Sequence, residues 1–237
     1  MVPLAGSEMA QAAVSFPIAF AVIEKRFTPV ALLGVQPGQN LYVAPNGMWA
    51  VSYIPAAIRG FPFKLLKTSS DAFTLGVDEA SGLVVDRDQG QPFFKEDGSP
   101  HDGARAIFDF MVKVSRSQEA AVSACAALTK HGVIEPWPLK LKHGDEERPV
   151  PGLNRINEAA LNALEPEAFL ELRQGSALAL AYSQLISSGN LALLGRLGGA
   201  QAQAQKRQPA KPQKQFNLSE ESSTDIDLGS VDWDDLK

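Results

Sequence analysis

One cysteine, Cys125, stands alone among 237 residues, so no disulfide can close within the chain. Histidine is almost as scarce. His101, His131 and His143 show no metal-ligand spacing and no H-E-x-x-H, which leaves no zinc site to expect and no metal or other cofactor to name. G-x-S-x-G, a P-loop and a dinucleotide fingerprint are all lacking, and with them the usual signatures of serine hydrolysis, nucleotide-triphosphate binding and hydride transfer. Charge of one sign is missing too: 22 basic against 27 acidic residues give a net charge of -5, which draws the chain neither to nucleic acid nor to anionic lipid. No stretch approaches the roughly 20 apolar residues of a membrane helix; Ala177 to Ile186 is about half that and reads as a buried core helix. Before Glu24 the one charged side chain is Glu8, so the basic region of a secretory signal is absent. The expectation is a cytoplasmic chain with an uncleaved N-terminus and no membrane span.

What the chain does have is concentrated between residues 16 and 66. Pro17 to Ile23 and Pro29 to Val35 are near-continuous apolar runs, too short for independent helices, each opened by a proline suited to the first position of a strand. Pro37-Gly38 suits a type II turn and Asn46-Gly47 a hairpin turn, with Leu41 to Val43 and Met48 to Tyr53 as strands. A period of two puts Trp49, Val51 and Tyr53 on one face of the last of these. Phe61 to Lys67 and Ala72 to Val77 add two more, so the first third predicts an antiparallel meander of about five or six strands, a small barrel-like sheet. Residues 78–102, rich in acids, glycine and proline with Phe93-Phe94 as anchor, read as a long structured loop, where binding residues concentrate.

Asp102 is a candidate N-cap for a helix to about His131, stopped by Gly132, with Ile107, Met111, Val114, Ala121, Cys125 and Leu128 on one face. Glu135 to Lys142 predicts a strand at a sheet edge, because of Pro136 and Pro138, with Pro149 to Ile156 as its partner. The C-terminal third predicts short helices: Asn157, Ser176 and Asn190 as caps, Pro166 at a first turn, Gly175, Gly189 and Gly198-Gly199 as stops. Strands first and helices later make an α+β fold. The domain reading is a flexible N-terminus over residues 1–15, the α+β domain over 16–199, and a disordered acidic tail over 200–237, whose last 22 residues mix seven acids with Phe216, Ile226, Leu228, Val231 and Trp233. Such a segment suits docking on a protein partner. It is equally the composition of a solubilising tail without one.

Candidate chemistry is sparse. Asp78 and Glu79 are neighbouring carboxylates able to shift one another's pKa, against which stands a turn or cap role, since adjacent strand residues face opposite ways. Asp86, Asp88 and Asp97 have the spacing of a calcium loop, but Gly90 is misplaced and Pro92-Phe93-Phe94 obstructs the wrap. Cys125, among alanines on a helical stripe, reads as a buried inert thiol. Asp78, Glu79, Arg59, Trp49 and the tail's Trp233 are the candidate binding residues.

The phrases FPIAF, PVALLGV, GQNLYV, GMWAVSYIPAAIRGFPF, GVDEASGLV, QPFFKEDGSP and LNALEPEAFLELRQGSALALAYSQLISSGNL occur in an order that resembles the SapC family, over roughly residues 12–197. That family is named for a bacterial surface-layer locus and has no established activity. The resemblance implies a non-catalytic accessory or binding protein linked to the cell surface or to outer-membrane uptake. The alternative is an enzyme of unrecognised type that uses the 78–102 loop with Arg59 and Trp49 beneath it.

Overall fold

The computed structural model of the chain describes residues 1–34, 36, 38–44, 46–68, 72–86, 89–143 and 146–207. In chain order the strands are β1 (Val2–Pro3), β2 (Ile18–Ile23), β3 (Arg26–Ala31), β4 (Phe63–Lys67), β5 (Phe73–Val77), β6 (Ile134–Pro136), β7 (Lys140–His143), β8 (Glu146–Pro149) and β9 (Leu153–Ile156). The helices are α1 (Met9–Ala13), α2 (Ala56–Arg59), α3 (Asp102–Lys130), α4 (Glu158–Asn162), α5 (Pro166–Gln174), α6 (Ala177–Ser187) and α7 (Leu191–Arg207). The class is α+β with antiparallel sheets, as the order of patterns in the sequence predicts.

The central sheet runs β1-β3-β2-β9-β6 and is antiparallel throughout. Ile18 to Ala21 and Thr28 to Ala31 are buried at every position, which is why their sequences read as continuous apolar runs rather than alternating ones. Helix α3 packs on β3, and α6 packs on β2 and β9. Two buried side chains of α6 fasten it there. Gln184 donates from Nε2 to the Ile18 carbonyl (3.2 Å) and accepts at Oε1 from the Ile156 amide (2.9 Å), while Ser187 Oγ accepts from the Ile18 amide (2.9 Å). Both backbone groups of one β2 residue are thus satisfied from a helix, where an unpaired group at that depth would be costly.

Several expectations need correcting. The meander does not form one sheet: of the strands expected in the first third only β2 and β3 enter the central sheet, where the unexpected β1 joins them, β4 and β5 make a separate two-stranded sheet, and β9 and β6 come from beyond α3. The reason lies in the chain between β3 and α2. At Gly34 an added Cβ would stand 2.5 Å from the Gln39 carbonyl oxygen, so the backbone folds back on itself, and Leu41 N–H reaches the Leu33 carbonyl at 2.7 Å. The Asn46-Gly47 hairpin exists, with Gly47 at φ 82°, but it shrinks to one bridge, Val43 to Trp49. The period-two alternation of residues 49–54 survives in their burial although no strand forms.

The N-terminus read as flexible is folded. Val2–Pro3 pairs with β3, residues Gly6–Glu8 form a 3-10 turn, and Leu4, Met9, Ala12 and Ala13 are in the core. At the other end the domain does not stop at Gly199: α7 runs through Gly195, Gly198 and Gly199 to Arg207, with Gly198 packed near Leu41 and Gln201 Oε1 accepting from Gln39 Nε2 at 3.1 Å. The remaining tail, 208–237, lies outside the described residues. His101, one residue earlier than expected, caps α3 through Nδ1. Asn157 caps α4 as expected, whereas Ser176 supplies the left-handed turn at φ 58° and no side-chain cap. Gly189 does not stop the chain either; a 3-10 turn over Ser188–Asn190 joins α6 to α7, and Asn190 Nδ2 donates instead to the carbonyls of Ala13 (2.8 Å) and Phe16 (3.1 Å). The joined stretch Ala177–Ala204, 28 residues, is long and apolar enough to cross a membrane by length and composition. Its Ala177, Leu180, Ala181 and Leu194 are buried in the same core as β2, which is the placement of a core helix.

Candidate functional site

Two groups of candidate residues part company. Trp49 and Arg59 belong to one network. Trp49 Nε1 donates to the Tyr53 carbonyl (2.7 Å), and its ring stacks on Tyr42 (5.9 Å between centroids) with Phe16 edge-on to both. Arg59 donates from Nε to the Ile54 carbonyl (3.0 Å) and from Nη2 to the Tyr53 hydroxyl (3.3 Å), and its guanidinium lies over the rings of Phe110 (5.0 Å) and Tyr53 (5.6 Å). The Tyr53 hydroxyl in turn donates to Glu8 Oε2 at 2.7 Å. Burial first, then this contact with Glu8, pushes the Tyr53 hydroxyl up to about 12.

Glu8 is the residue that reading the sequence for sites missed. Only 4 % exposed, it accepts from the amides of Ala5 (2.8 Å) and Ala56 (2.8 Å) as well as from Tyr53, and so ties the N-terminal turn to the start of α2. A signal was present: it is the lone charge in an apolar N-terminus. Around Glu8 the network is a structural clamp in which one carboxylate meets three donors.

Asp78 and Glu79 are elsewhere. Asp78 Oδ1 accepts from the Ala80 amide (3.1 Å) and caps a 3-10 turn over Glu79–Ser81, while Glu79 is exposed. The cap role therefore holds for Asp78. Among the described residues no hydrogen bond or ion pair joins either acid to Arg59 or Trp49. The calcium-loop reading has no support: Asp97 Oδ1 accepts from the amide (2.9 Å) and hydroxyl (2.6 Å) of Ser99, so it holds its own turn, and Asp88 lies outside the described residues. Those bonds hold the Asp97 carboxyl below its ordinary value. Among the described residues no group of three metal-ligating side chains converges. Cys125 is fully buried, and burial pushes its thiol up to about 12, far from a reactive thiolate. Trp233 lies outside the described residues.

The 78–102 loop does build a surface, though not from the acids that drew attention to it. Its end is a tight hairpin: the Phe94–Pro100 bridge, His101 N–H to the Phe93 carbonyl (2.9 Å) and Lys95 N–H to the Ser99 carbonyl (2.8 Å), with Gly98 at φ 79° at the tip. Facing it across an open trough of about 680 Å³ are Phe73 to Val77 of β5, with Ala104, Arg105, Phe108 and Asp109 of α3 as floor and wall. A second hollow of about 620 Å³, lined by Leu83 to Asp86 and by Gly90 to Glu96, shares Phe63, Val77, Phe93, Phe94 and Lys95 with the first. Phe63 meets Phe93 edge-on at 6.0 Å. Phe94 is 61 % exposed and Phe93 38 %, a large apolar area to leave facing water on one short hairpin. Charged groups stand at the rim, where Lys95 Nζ pairs with Asp102 Oδ1 at 2.8 Å and holds that carboxyl low. Neither Trp49 nor Arg59 lines either hollow.

A family model described as SapC matches residues 1–194, so the match begins at the N-terminal residues that fold into the sheet rather than at residue 12. No curated protein and no solved structure matches the chain.

Proposed function

The chain belongs to the SapC family, and from that premise we propose that it is a non-catalytic binding protein that serves bacterial cell-surface or outer-membrane uptake functions by holding a protein partner in the trough beside β5. The observation that carries this reading is the trough itself: open along its length, walled by Phe73, Leu75, Val77, Phe93, Phe94 and Phe108, and charged only through Lys95, Arg105 and Asp109. Such a lining desolvates apolar side chains, while the few charged groups at its rim fix orientation. The cell-surface part comes from the resemblance to a family named for a surface-layer locus. The acidic, tryptophan-containing C-terminus supplies a second element for contact with a partner.

Phe94 offers the cleanest test, because its side chain is largely in water and Phe94→Asp should fold normally. Captures from an extract of the native cell by the wild-type chain and by Phe94→Asp are compared by mass spectrometry, alongside melting curves. The expected result is a protein retained by the wild type and lost by the variant at an unchanged Tm. Identical captures by the two chains would sink the proposal.

A further inference from the structure

From Phe61 through Ala120 no described residue is buried, although β4, β5 and most of α3 lie there. Further along the same helix Ala121, Ala124, Cys125 and Leu128 are in the core. A lone two-stranded hairpin is marginal in water, and the helix beneath this one leaves none of its side chains fully covered.

The hairpin's register also leaves one strand edge open. Asp78 N–H donates to the Pro62 carbonyl (2.9 Å) and Thr68 N–H to the Ala72 carbonyl (2.8 Å), so the bond-exchanging pairs fall at Lys64/Gly76 and Leu66/Thr74. The amides and carbonyls of Phe73, Leu75 and Val77 therefore point away from β4, and no described group bonds to them. Other edges are blunted: β1 has two residues, β6 carries Pro136, β4 carries Lys64 and Lys67, and β7 and β8 are mostly charged. β5 has no charge and no proline, and all five of its residues line the trough.

That edge is its own complement. About a twofold axis at Leu75, Phe73 of one copy falls opposite Val77 of the other, and every outward N–H meets an outward C=O. An uncharged strand is not repelled by itself, and Lys95, Arg105 and Asp109 bring both signs to the rim. Area suffices as well. Leu83, Val84, Val85, Phe93 and Phe94, 37 to 61 % exposed, leave roughly 450 Å² of apolar side chain in water. A standard interface takes about 800 Å² from each partner, a little over half of it apolar.

We propose that the trough is filled by a second copy of this chain, joined antiparallel β5 to β5 about a twofold axis at Leu75. The two hairpins become one sheet of four strands, and Phe93 and Phe94 of each copy are covered by the other. This names the partner held in the trough, and it rests on the trough being the binding surface.

Leu75 stands opposite its own copy, so a charge placed there is repelled by itself and matched by its opposite. In sedimentation of the full chain at about 10 µM the wild type should run as a dimer, Leu75→Lys and Leu75→Glu each as monomers, and their equimolar mixture as a dimer again. Hydrogen exchange of the wild type decides the matter without a substitution. The amides of Phe73, Leu75 and Val77 should exchange about tenfold more slowly at about 100 µM than at about 1 µM, because the monomer fraction falls as the square root of concentration. A monomeric wild type, a dimer that survives both substitutions, a mixture of folded variants that does not re-form it, or equal exchange at the two concentrations overturns the inference. A monomeric chain that still loses a captured protein in Phe94→Asp leaves the partner reading standing without it. Identical captures by the wild type and Phe94→Asp, from a chain that dimerises through Leu75, overturn the partner reading alone.

Discussion

Glu8 and Tyr42 are two buried polar side chains with opposite histories. Glu8 meets three donors and no described cation, so its deletion strands what it served. Glu8→Ala leaves the amides of Ala5 and Ala56 unmatched and frees Tyr53, and it should lower stability by about 2 to 5 kcal/mol, read from the shift of a urea midpoint. The Tyr42 hydroxyl, fully buried, has no hydrogen-bond partner among the described residues, although its ring is the hub of the Phe16–Trp49 cluster. Here removal costs nothing: Tyr42→Phe should leave the melting temperature unchanged or raise stability by about 1 kcal/mol. The sequence marks Tyr42 as core through its place in an apolar triplet, yet it cannot show that one hydroxyl in that core lacks an acceptor. That is decided by which carbonyls tertiary packing brings near.

At the scale of elements, the tightest turn in the central sheet is the one that carries no turn residue. Ile23 pairs with Arg26, so Glu24 and Lys25 form the entire loop, at φ 49° and 63°, a left-handed pair in which a Cβ costs about 1 kcal/mol per residue. Glu24→Asn with Lys25→Gly should therefore raise stability by about 1 kcal/mol in thermal unfolding. Where glycine or Asn-Gly does mark a turn, as at Gly38, Gly47 and Gly132, the sequence reading finds it. Where strand pairing on both sides imposes the turn, nothing local announces it. The same asymmetry explains α7. Gly195, Gly198 and Gly199 each disfavour helix by roughly 1 kcal/mol, and the sequence reading ends the fold there, but packing against β7 and Leu41 carries the helix through. Ending the chain after Arg207 should leave the Tm unchanged, whereas ending it after Gly199 should lower it by several degrees, because the second cut removes the last turns of α7 with Gln201. The trough was legible only in outline: a loop with two adjacent phenylalanines. That it borders a strand edge follows from the hairpin's register, which periodicity does not set.

For the molecule as a whole, stability should fall on the alkaline side. Burial pushes the Cys125 thiol and the Tyr53 hydroxyl up to about 12, and the Tyr42 hydroxyl upward as well. Each holds its proton more tightly folded than unfolded, so the contribution is fully present below the ordinary values of about 8.5 for cysteine and 10 for tyrosine and is lost as pH rises toward 12. The urea midpoint should decline steadily from pH 8 to pH 11, and a flat profile would show that these groups are solvated. On the acid side Asp97, Asp102, Glu119 and Glu171 are held low by Ser99, Lys95, Arg26 and Lys130 respectively, but all four lie at the surface and weigh little.

The clamp of Ser187 and Gln184 on Ile18 also sets a schedule for biosynthesis. The partners of that clamp are 169 residues apart, and at about 5 to 20 residues per second the ribosome needs roughly ten to thirty seconds to travel from one to the other. Within that interval α3, which packs on β3, and β9, which pairs with β2, are made first, and α6 with its clamp on Ile18 comes last. A core assembled from both ends of the chain therefore closes only when the C-terminal helices have been made.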